Sequence, residues 1–356
     1  MKFLLLPFSL LYAAVMAVRN WMFDRGLLSS RSFPVPTICV GNLSVGGTGK
    51  TPHSEYLLRL LQSKGWRSGL LSRGYRRRSK GYLEGEDKNA LEIGDEPWQI
   101  MHSCYPAKVC VCEKRAEGLR RMLTAEDAPQ VVVMDDAYQH RYVQAGLNIL
   151  LTDYSHPYYA DYVLPTGKLR ESRRGAKRAD IIVVTKCPAD LSTQQMEDIR
   201  QRITPRAHQQ VFFSRMEYGM PYYLFPRAVD TGVEKVVVLK SEVLRGEKAL
   251  VVCGIARPKP FIQHVQDLCA RVETLTYSDH HHFTVKDIQT IAQRAKSADI
   301  VITTAKDAAR LSAYELPQSL REKLCVQPIE VKFLHQTENI FNQIILDYVT
   351  KDSTNC

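Results

Sequence analysis

The sequence has no Cys-x-x-Cys pair, no internal repeat and no low-complexity tract. Its nine cysteines are an odd number, and their closest spacing, Cys110-Val111-Cys112, suits a strand better than a metal site. These absences exclude a disulfide framework and a cysteine-based zinc module, and they fit thiols kept reduced in a cytosol. Acidic residues are in the minority: 38 Asp and Glu against 48 Lys and Arg leave a net charge of +10. An anionic partner follows, whether nucleic acid, phosphorylated metabolite or anionic membrane. At 356 residues, 45% hydrophobic, the chain is long enough for two globular domains. A long uninterrupted apolar run is also missing. Phe3–Val18 is apolar apart from Ser9, but Pro7 interrupts it and Lys2 and Arg19 close it. Three readings fit this segment. It can be a signal peptide cleaved after Val15-Met16-Ala17, a short spanning helix, or a helix lying in the bilayer surface beside Arg19, Trp21, Arg25 and Arg31.

What is present decides more. Ile38-Cys39-Val40 leads into Gly41-Asn42-Leu43-Ser44-Val45-Gly46-Gly47-Thr48-Gly49-Lys50-Thr51, and a helical pattern follows from about Ser54. Backbone N–H groups of Gly46, Gly47, Thr48 and Gly49 can wrap a polyphosphate, with Lys50 on its β/γ oxygens and the Thr51 hydroxyl on Mg²⁺. The helix dipole adds positive potential at the same point. The strict pattern opens with glycine where this chain has Ser44. A nucleoside triphosphate is cytosolic, so a loop so soon after the apolar segment favours a retained membrane-associated helix over export.

Apolar β-branched runs recur at Thr37–Val40, Ser68–Leu71, Pro106–Val111, Val131–Met134, Ile149–Leu151 and Ile181–Val184. Helical stretches between them, His53–Gln62 and Arg115–Leu123 among others, predict a doubly wound α/β domain with a parallel sheet. Val211–Phe225 is rich in Tyr and Phe and reads as extended linking structure. Ala249–Cys253, Arg271–Thr276, Ile300–Thr303 and Cys325–Val331 predict a second, smaller α/β domain. The expected division is an apolar segment 1–35, a P-loop core 36–225 and a second domain 226–356, whose last helix, Glu338–Val349, can pack back on the core.

Met134-Asp135-Asp136 ends a hydrophobic strand with two carboxylates, the arrangement a second Mg²⁺-handling motif needs opposite a P-loop. Consecutive acids cannot both point the same way, so one meets the metal shell and the other orients it or the substrate. In Gly94-Asp95-Glu96-Pro97, Pro97 suits a helix's first turn, and Asp95 can be its N-cap. Asp279-His280-His281-His282 suggests a metal site only weakly, because neighbouring side chains on an extended segment alternate in direction. Lys168–Arg178 holds six cations, a solvated basic face by default.

With Ala137-Tyr138-Gln139-His140 added to Gly41–Pro52, the chain resembles the tetraacyldisaccharide 4′-kinases of lipid A synthesis. Arg73-Gly74-Tyr75, Gly94–Pro97, Lys114-Arg115, Leu164–Glu171, Asp279-His280 and Thr303–Asp307 match in order. Family members usually have Gly-Phe where Ala137-Tyr138 stands and often Ala at Thr166, departures that leave the acidic and basic positions intact. The resemblance implies a two-domain kinase on the cytoplasmic face of the inner membrane, peripheral or monotopic. It would use ATP and Mg²⁺ to phosphorylate the 4′-hydroxyl of a lipid A disaccharide 1-phosphate. It implies Asp95 as the group that takes the hydroxyl proton, paired with His280, and Glu171 as a further Mg²⁺ contact beside Thr51, Asp135 and Asp136. Arg73, Arg115 and Arg170 are implied phosphate-binding residues, with Lys114 beside them. Arg76–Arg78 and Lys80 are candidates for lipid headgroups, and Lys306 and Asp307 for the adenine. Two other classes remain: a nucleic-acid-dependent ATPase, which lacks an aromatic stacking series here, and a slow nucleotide switch, for which Asp95 and His280 would be dispensable. No nucleic-acid partner is expected.

Overall fold

Runs of Ile, Val and Leu with no polar face form strands covered on both sides. The computed structural model describes residues 5–225, 227–228, 234–235, 238–279 and 281–353. Its strands are β1 (Thr37–Asn42), β2 (Ser68–Ser72), β3 (Leu83–Glu84), β4 (Lys108–Val111), β5 (Val131–Asp135), β6 (Leu147–Asp153), β7 (Ile181–Thr185), β8 (Gln210–Tyr218), β9 (Tyr222–Tyr223), β10 (Arg227–Ala228), β11 (Glu234–Lys235), β12 (Lys248–Cys253), β13 (Arg271–Thr276), β14 (Ile300–Thr304), β15 (Leu324–Gln327) and β16 (Ile329–Phe333).

The larger sheet has nine strands in the order β16-β8-β7-β6-β1-β5-β2-β4-β3. It is parallel except at its edges, where β16 runs against β8 and β3 against β4. Helices cover both faces. Leu57, Leu58 and Leu61 of helix Lys50–Ser63, with Phe341, Ile345 and Val349 of helix Glu338–Ser353, seal one face. Leu119 and Met122 of helix Arg115–Leu123, with Met196 and Ile203 of helix Thr193–Ile203, seal the other. The smaller sheet, β13-β12-β14-β15-β9, is parallel apart from β9. The described cysteines are buried thiols.

Three sequence expectations change. The helix after the glycine-rich loop starts at Lys50, not near His53, because Gly49 at φ 87° makes the turn into it. Val211–Phe225 is not a linker throughout: Gln210–Tyr218 is strand β8, parallel to β7. Cys325–Val331 is not one strand of the second sheet. Pro328, which has no N–H to continue a ladder, separates β15 of the smaller sheet from β16 of the larger. The chain therefore passes between the sheets twice, and the passages are joined where Gly219 N–H donates to the Pro328 carbonyl at 3.0 Å. The last helix lies against the larger sheet, where the Tyr348 hydroxyl accepts from Thr37 N–H at 2.9 Å.

Candidate active site

The glycine-rich loop follows β1, whose neighbours are β5 and β6. Helix Lys50–Ser63 has Gly49 as its N-cap and no side-chain cap, so its first N–H groups stay open to an anion. Side chains hold the loop in shape: Asn42 Nδ2 donates to Thr48 Oγ1 at 3.0 Å and Thr185 Oγ1 to the Thr48 carbonyl at 2.8 Å. Ser44, at the position of the missing glycine, pairs with Leu169 as an extended bridge. A Cβ on Gly41 would lie 2.6 Å from Tyr138 Cβ, so the end of β1 needs glycine for the following motif to pack.

The acids at the end of β5 part in direction. Asp135 is buried and accepts from Ser54 Oγ at 3.0 Å. Burial, reinforced by Glu96 and Asp136, raises its carboxyl well above the ordinary carboxylate range. Asp136, at φ 46°, turns toward Lys50 at 3.6 Å and Arg170 at 3.1 Å. Burial would raise its carboxyl, but Lys50 and Arg170 outweigh that and hold it below the ordinary value. Lys50, Asp136 and Arg170 thus form one charged cluster at the phosphate loop. A hydroxyl at Thr51 and carboxylate oxygens at Asp135 and Asp136 are hard donors of the kind Mg²⁺ takes alongside nucleotide phosphates. Among the described residues no group of three or more His, Cys, Asp or Glu is arranged to hold a metal without such help.

Two expected site residues have other partners. The carboxylate of Glu171 is 2% exposed and accepts from Arg178 at 2.8 and 3.0 Å and from Asn20 at 2.8 Å, so it ties the loop to neighbouring elements. Arg115 is 2% exposed; it donates to the Cys112 carbonyl at 2.7 Å and the Asp135 carbonyl at 3.3 Å. Burial lowers it to about 10, so it remains a cation at neutral pH, bracing the acidic strand end from behind. Its partners could not be read from the sequence because they lie on β5 and on the turn after β4.

Asp95 opens helix Asp95–Ser103, but the N-cap is Gly94, with no side-chain cap. The carboxylate instead accepts from Arg310 Nε of the second α/β unit at 2.8 Å. Lys306 pairs with Glu96 at 3.3 Å. Asp307 is wholly buried and accepts from Gly254 N–H at 3.0 Å and Thr304 Oγ1 at 2.7 Å, which suits a structural role. His280 lies outside the described residues. His281 pairs with Asp287 at 3.0 Å, while His282 and Asp95 line one small cavity with Arg310 and Tyr314.

A cavity of about 600 Å³ is lined by Arg31, Lys114, Arg115, Arg120, His140 and Tyr142, with Glu113 and Glu117 among them. His140 is lowered to about 4 by burial and then by Arg115 and Arg73, so Arg73 acts on the same region. Arg77, expected at lipid headgroups, instead binds Glu113 at 2.6 Å with its side chain 2% exposed. Helix Leu6–Asp24 leans on this side of the core. Ser9 bonds Thr166 at 2.6 Å, Tyr12 the Arg170 carbonyl at 3.0 Å and Arg19 the Gln139 carbonyl at 3.0 Å. Its other face leaves Phe8, Leu10, Leu11, Val15 and Val18 exposed.

The tetraacyldisaccharide-1-P 4′-kinase family model matches residues 1–350. The chain belongs to the tetraacyldisaccharide-1-P 4′-kinase family. It is 42% identical to the tetraacyldisaccharide 4′-kinase of Bacteroides fragilis strain YCH46, over 99% of this chain and 94% of that protein. The same identity relates it to the enzyme of that name from Flavobacterium johnsoniae, over 98% and 97% of the two chains. The crystal structure of LpxK from Aquifex aeolicus in complex with ATP superposes with a TM-score of 0.74 at 29% identity, covering 98% of this chain and 99% of that one. Tetraacyldisaccharide 4′-kinases are phosphotransferases with a hydroxyl acceptor, and the fold here is that of a P-loop kinase.

Proposed function

We propose that the protein transfers the γ-phosphoryl group of ATP to the 4′-hydroxyl of a lipid A disaccharide 1-phosphate, with Mg²⁺, at the cytoplasmic face of the inner membrane. The observation that carries the site reading is the cluster of Lys50, Asp136 and Arg170 beside the open N-terminus of helix Lys50–Ser63. The loop amides of Gly46–Gly49 and Lys50 hold the phosphates, and Arg170 neutralises charge that develops on the transferring group. Thr51 and Asp135 would hold Mg²⁺, and Asp136, held by Lys50 and Arg170, would complete the acidic pair beside it. The ion supplies charge neutralisation at the phosphate oxygens when bound.

Asp95 orients the acceptor hydroxyl and takes its proton, with His280 as its partner. The Glu96 carboxylate acts electrostatically on Asp135, which supports a short gap between the Asp95 helix and the acidic strand end. Arg73 and the exposed cations of that cavity, Lys114 and Arg120, receive the acceptor's 1-phosphate. The exposed apolar face of helix Leu6–Asp24 enters the bilayer surface, and its bonded face stays on the loop that carries Arg170. Incubation with γ-labelled ATP, Mg²⁺ and lipid A disaccharide 1-phosphate in detergent tests this: labelled lipid is expected, none with Mg²⁺ chelated. Unlabelled lipid under conditions that support a Bacteroides fragilis homologue would refute it.

A further inference from the structure

We infer that Glu55 is a positioning residue for phosphoryl transfer: it fixes the register between the helix that begins at the phosphate loop and the helix that begins at Asp95, and so sets where Asp95 stands relative to Lys50 and Thr51. This role rests on the reading of Asp95 as the group that takes the acceptor's proton.

Thr51, Glu55, Arg59 and Gln62 follow one another at helical spacing along one face of helix Lys50–Ser63. Asp95, Gln99 and Ser103 do the same on helix Asp95–Ser103. The two faces meet. Glu55 Oε1 accepts from Gln99 Nε2 at 3.0 Å and from Ser103 Oγ at 2.6 Å. One turn further on, Arg59 donates to the Ser103 carbonyl at 3.4 Å, and Gln62 to the Cys104 carbonyl at 2.7 Å. These carbonyls lie at the end of the Asp95 helix, where the helix itself supplies no donor. Later residues of one helix thus meet later residues of the other. The helices run side by side in one direction, and Thr51 and Asp95 come at the same end.

Glu55 is 2% exposed. Burial raises its carboxyl, while Arg59, Ser103 and Gln99 draw it down. Burying a carboxyl is unfavourable, and apolar side chains would join the two helices without that penalty. What apolar packing does not supply is direction. A slip of one turn moves a helix by about 5.4 Å along its axis, and Glu55 meets Gln99 and Ser103 together in one register. The N-terminal end of the Asp95 helix is held from the second α/β unit, by Arg310 on Asp95 and Lys306 on Glu96. Its C-terminal half is held from the phosphate-loop helix, through Glu55. Only the second hold refers Asp95 to the frame in which the phosphates bind. Such precision matters because a misplacement of about 1 Å can slow a reaction about 10²-fold.

Steady-state kinetics of the full-length protein with ATP, Mg²⁺ and the lipid acceptor tests the role. Glu55→Met should lower kcat by about 10²-fold and leave the KM for ATP near its wild-type value, since Glu55 lies a full turn beyond Thr51. Glu55→Gln should keep most of the wild-type kcat, because its amide oxygen still accepts from Gln99 and Ser103. Gln99→Met with Ser103→Ala removes the same contacts from the other helix and should reproduce the loss, whether or not Glu55→Met folds. In the Asp95→Ala background, adding either change should lower kcat little further, because the effect passes through Asp95. A multiplicative loss in that background would overturn the inference and leave the kinase reading intact. So would Glu55→Gln as impaired as Glu55→Met, or wild-type kcat in both apolar variants with only a lower melting temperature. A KM for ATP that rises as far as kcat falls would assign Glu55 to shaping the phosphate loop and overturn it as well. Wild-type turnover in Asp95→Ala alone would remove the base reading, and this role with it.

Discussion

Arg310 donates its Nε to Asp95 Oδ2 at 2.8 Å, joining an element of the second α/β unit to the first residue of a helix on the kinase core. Arg310 is itself fixed by Asp307 at 3.1 Å and the Gly254 carbonyl at 3.3 Å. One oxygen of Asp95 is therefore occupied from the second unit.

Replacing Asp95 with Ala should lower kcat by about 10²–10⁴, the span of general-base catalysis, and change the KM for ATP little. Arg310→Ala should lower kcat by about tenfold, the cost of one hydrogen bond to a charged group. His280→Ala should act on the same step. The Asp95/His280 double variant should then be much less impaired than the product of the single effects, because either change already disables the pair. Steady-state kinetics with the lipid acceptor decides; wild-type turnover in Asp95→Ala removes the base assignment.

Lys50→Ala should cost roughly 3 kcal/mol of transition-state stabilisation, comparable to removing one principal charge-stabilising donor. It should also leave Asp136 without a cation 3.6 Å away. Comparison of kcat/KM for the variant and the wild type measures the loss, and a change below threefold would contradict the role given to Lys50.

Leu10→Glu with Leu11→Glu places two charges on the exposed face of the first helix, where the parent side chains are 64% and 67% exposed. Recovery with sedimented membranes should fall, and the KM for lipid should rise more than that for ATP. Deleting residues 1–18 should do the same and in addition remove the Ser9 and Tyr12 contacts to the Arg170 loop, lowering kcat as well. Unchanged sedimentation of the double variant would count against a bilayer contact. Mass spectrometry finding a mature chain that begins at Val18 would indicate export.

Burial lowers the pKa of His102, which stacks on Trp98 at 3.7 Å between ring centroids, from its ordinary 6.5. The folded state then binds fewer protons than the unfolded chain as pH falls below 6.5, so this group's stabilising contribution is present above 6.5 and is lost toward acid. Urea unfolding between pH 7 and 5 should show His102→Gln less acid-sensitive than the parent. A parallel acid limb in both proteins would refute the assignment.

The sequence by itself determined the phosphate loop, the acidic strand end and the central strands. These signals are local: Gly46–Thr51 must be contiguous to wrap a phosphate, and Val131–Met134 announces burial by composition alone. The motifs spaced along the chain also made the family legible. The tertiary structure decided the pairings. Glu171 is paired with Arg178 and Asn20, and Arg115 with the Cys112 and Asp135 carbonyls, partners that a list of charges does not name. Pro328 returns the chain to the larger sheet, although residues on both sides of it read as one strand. Arg310 reaches Asp95 across 215 positions of sequence, and Lys186 reaches Gly47 across 139. No short-range pattern encodes such contacts, because which buried charge meets which partner depends on how the sheets bring their strand ends together.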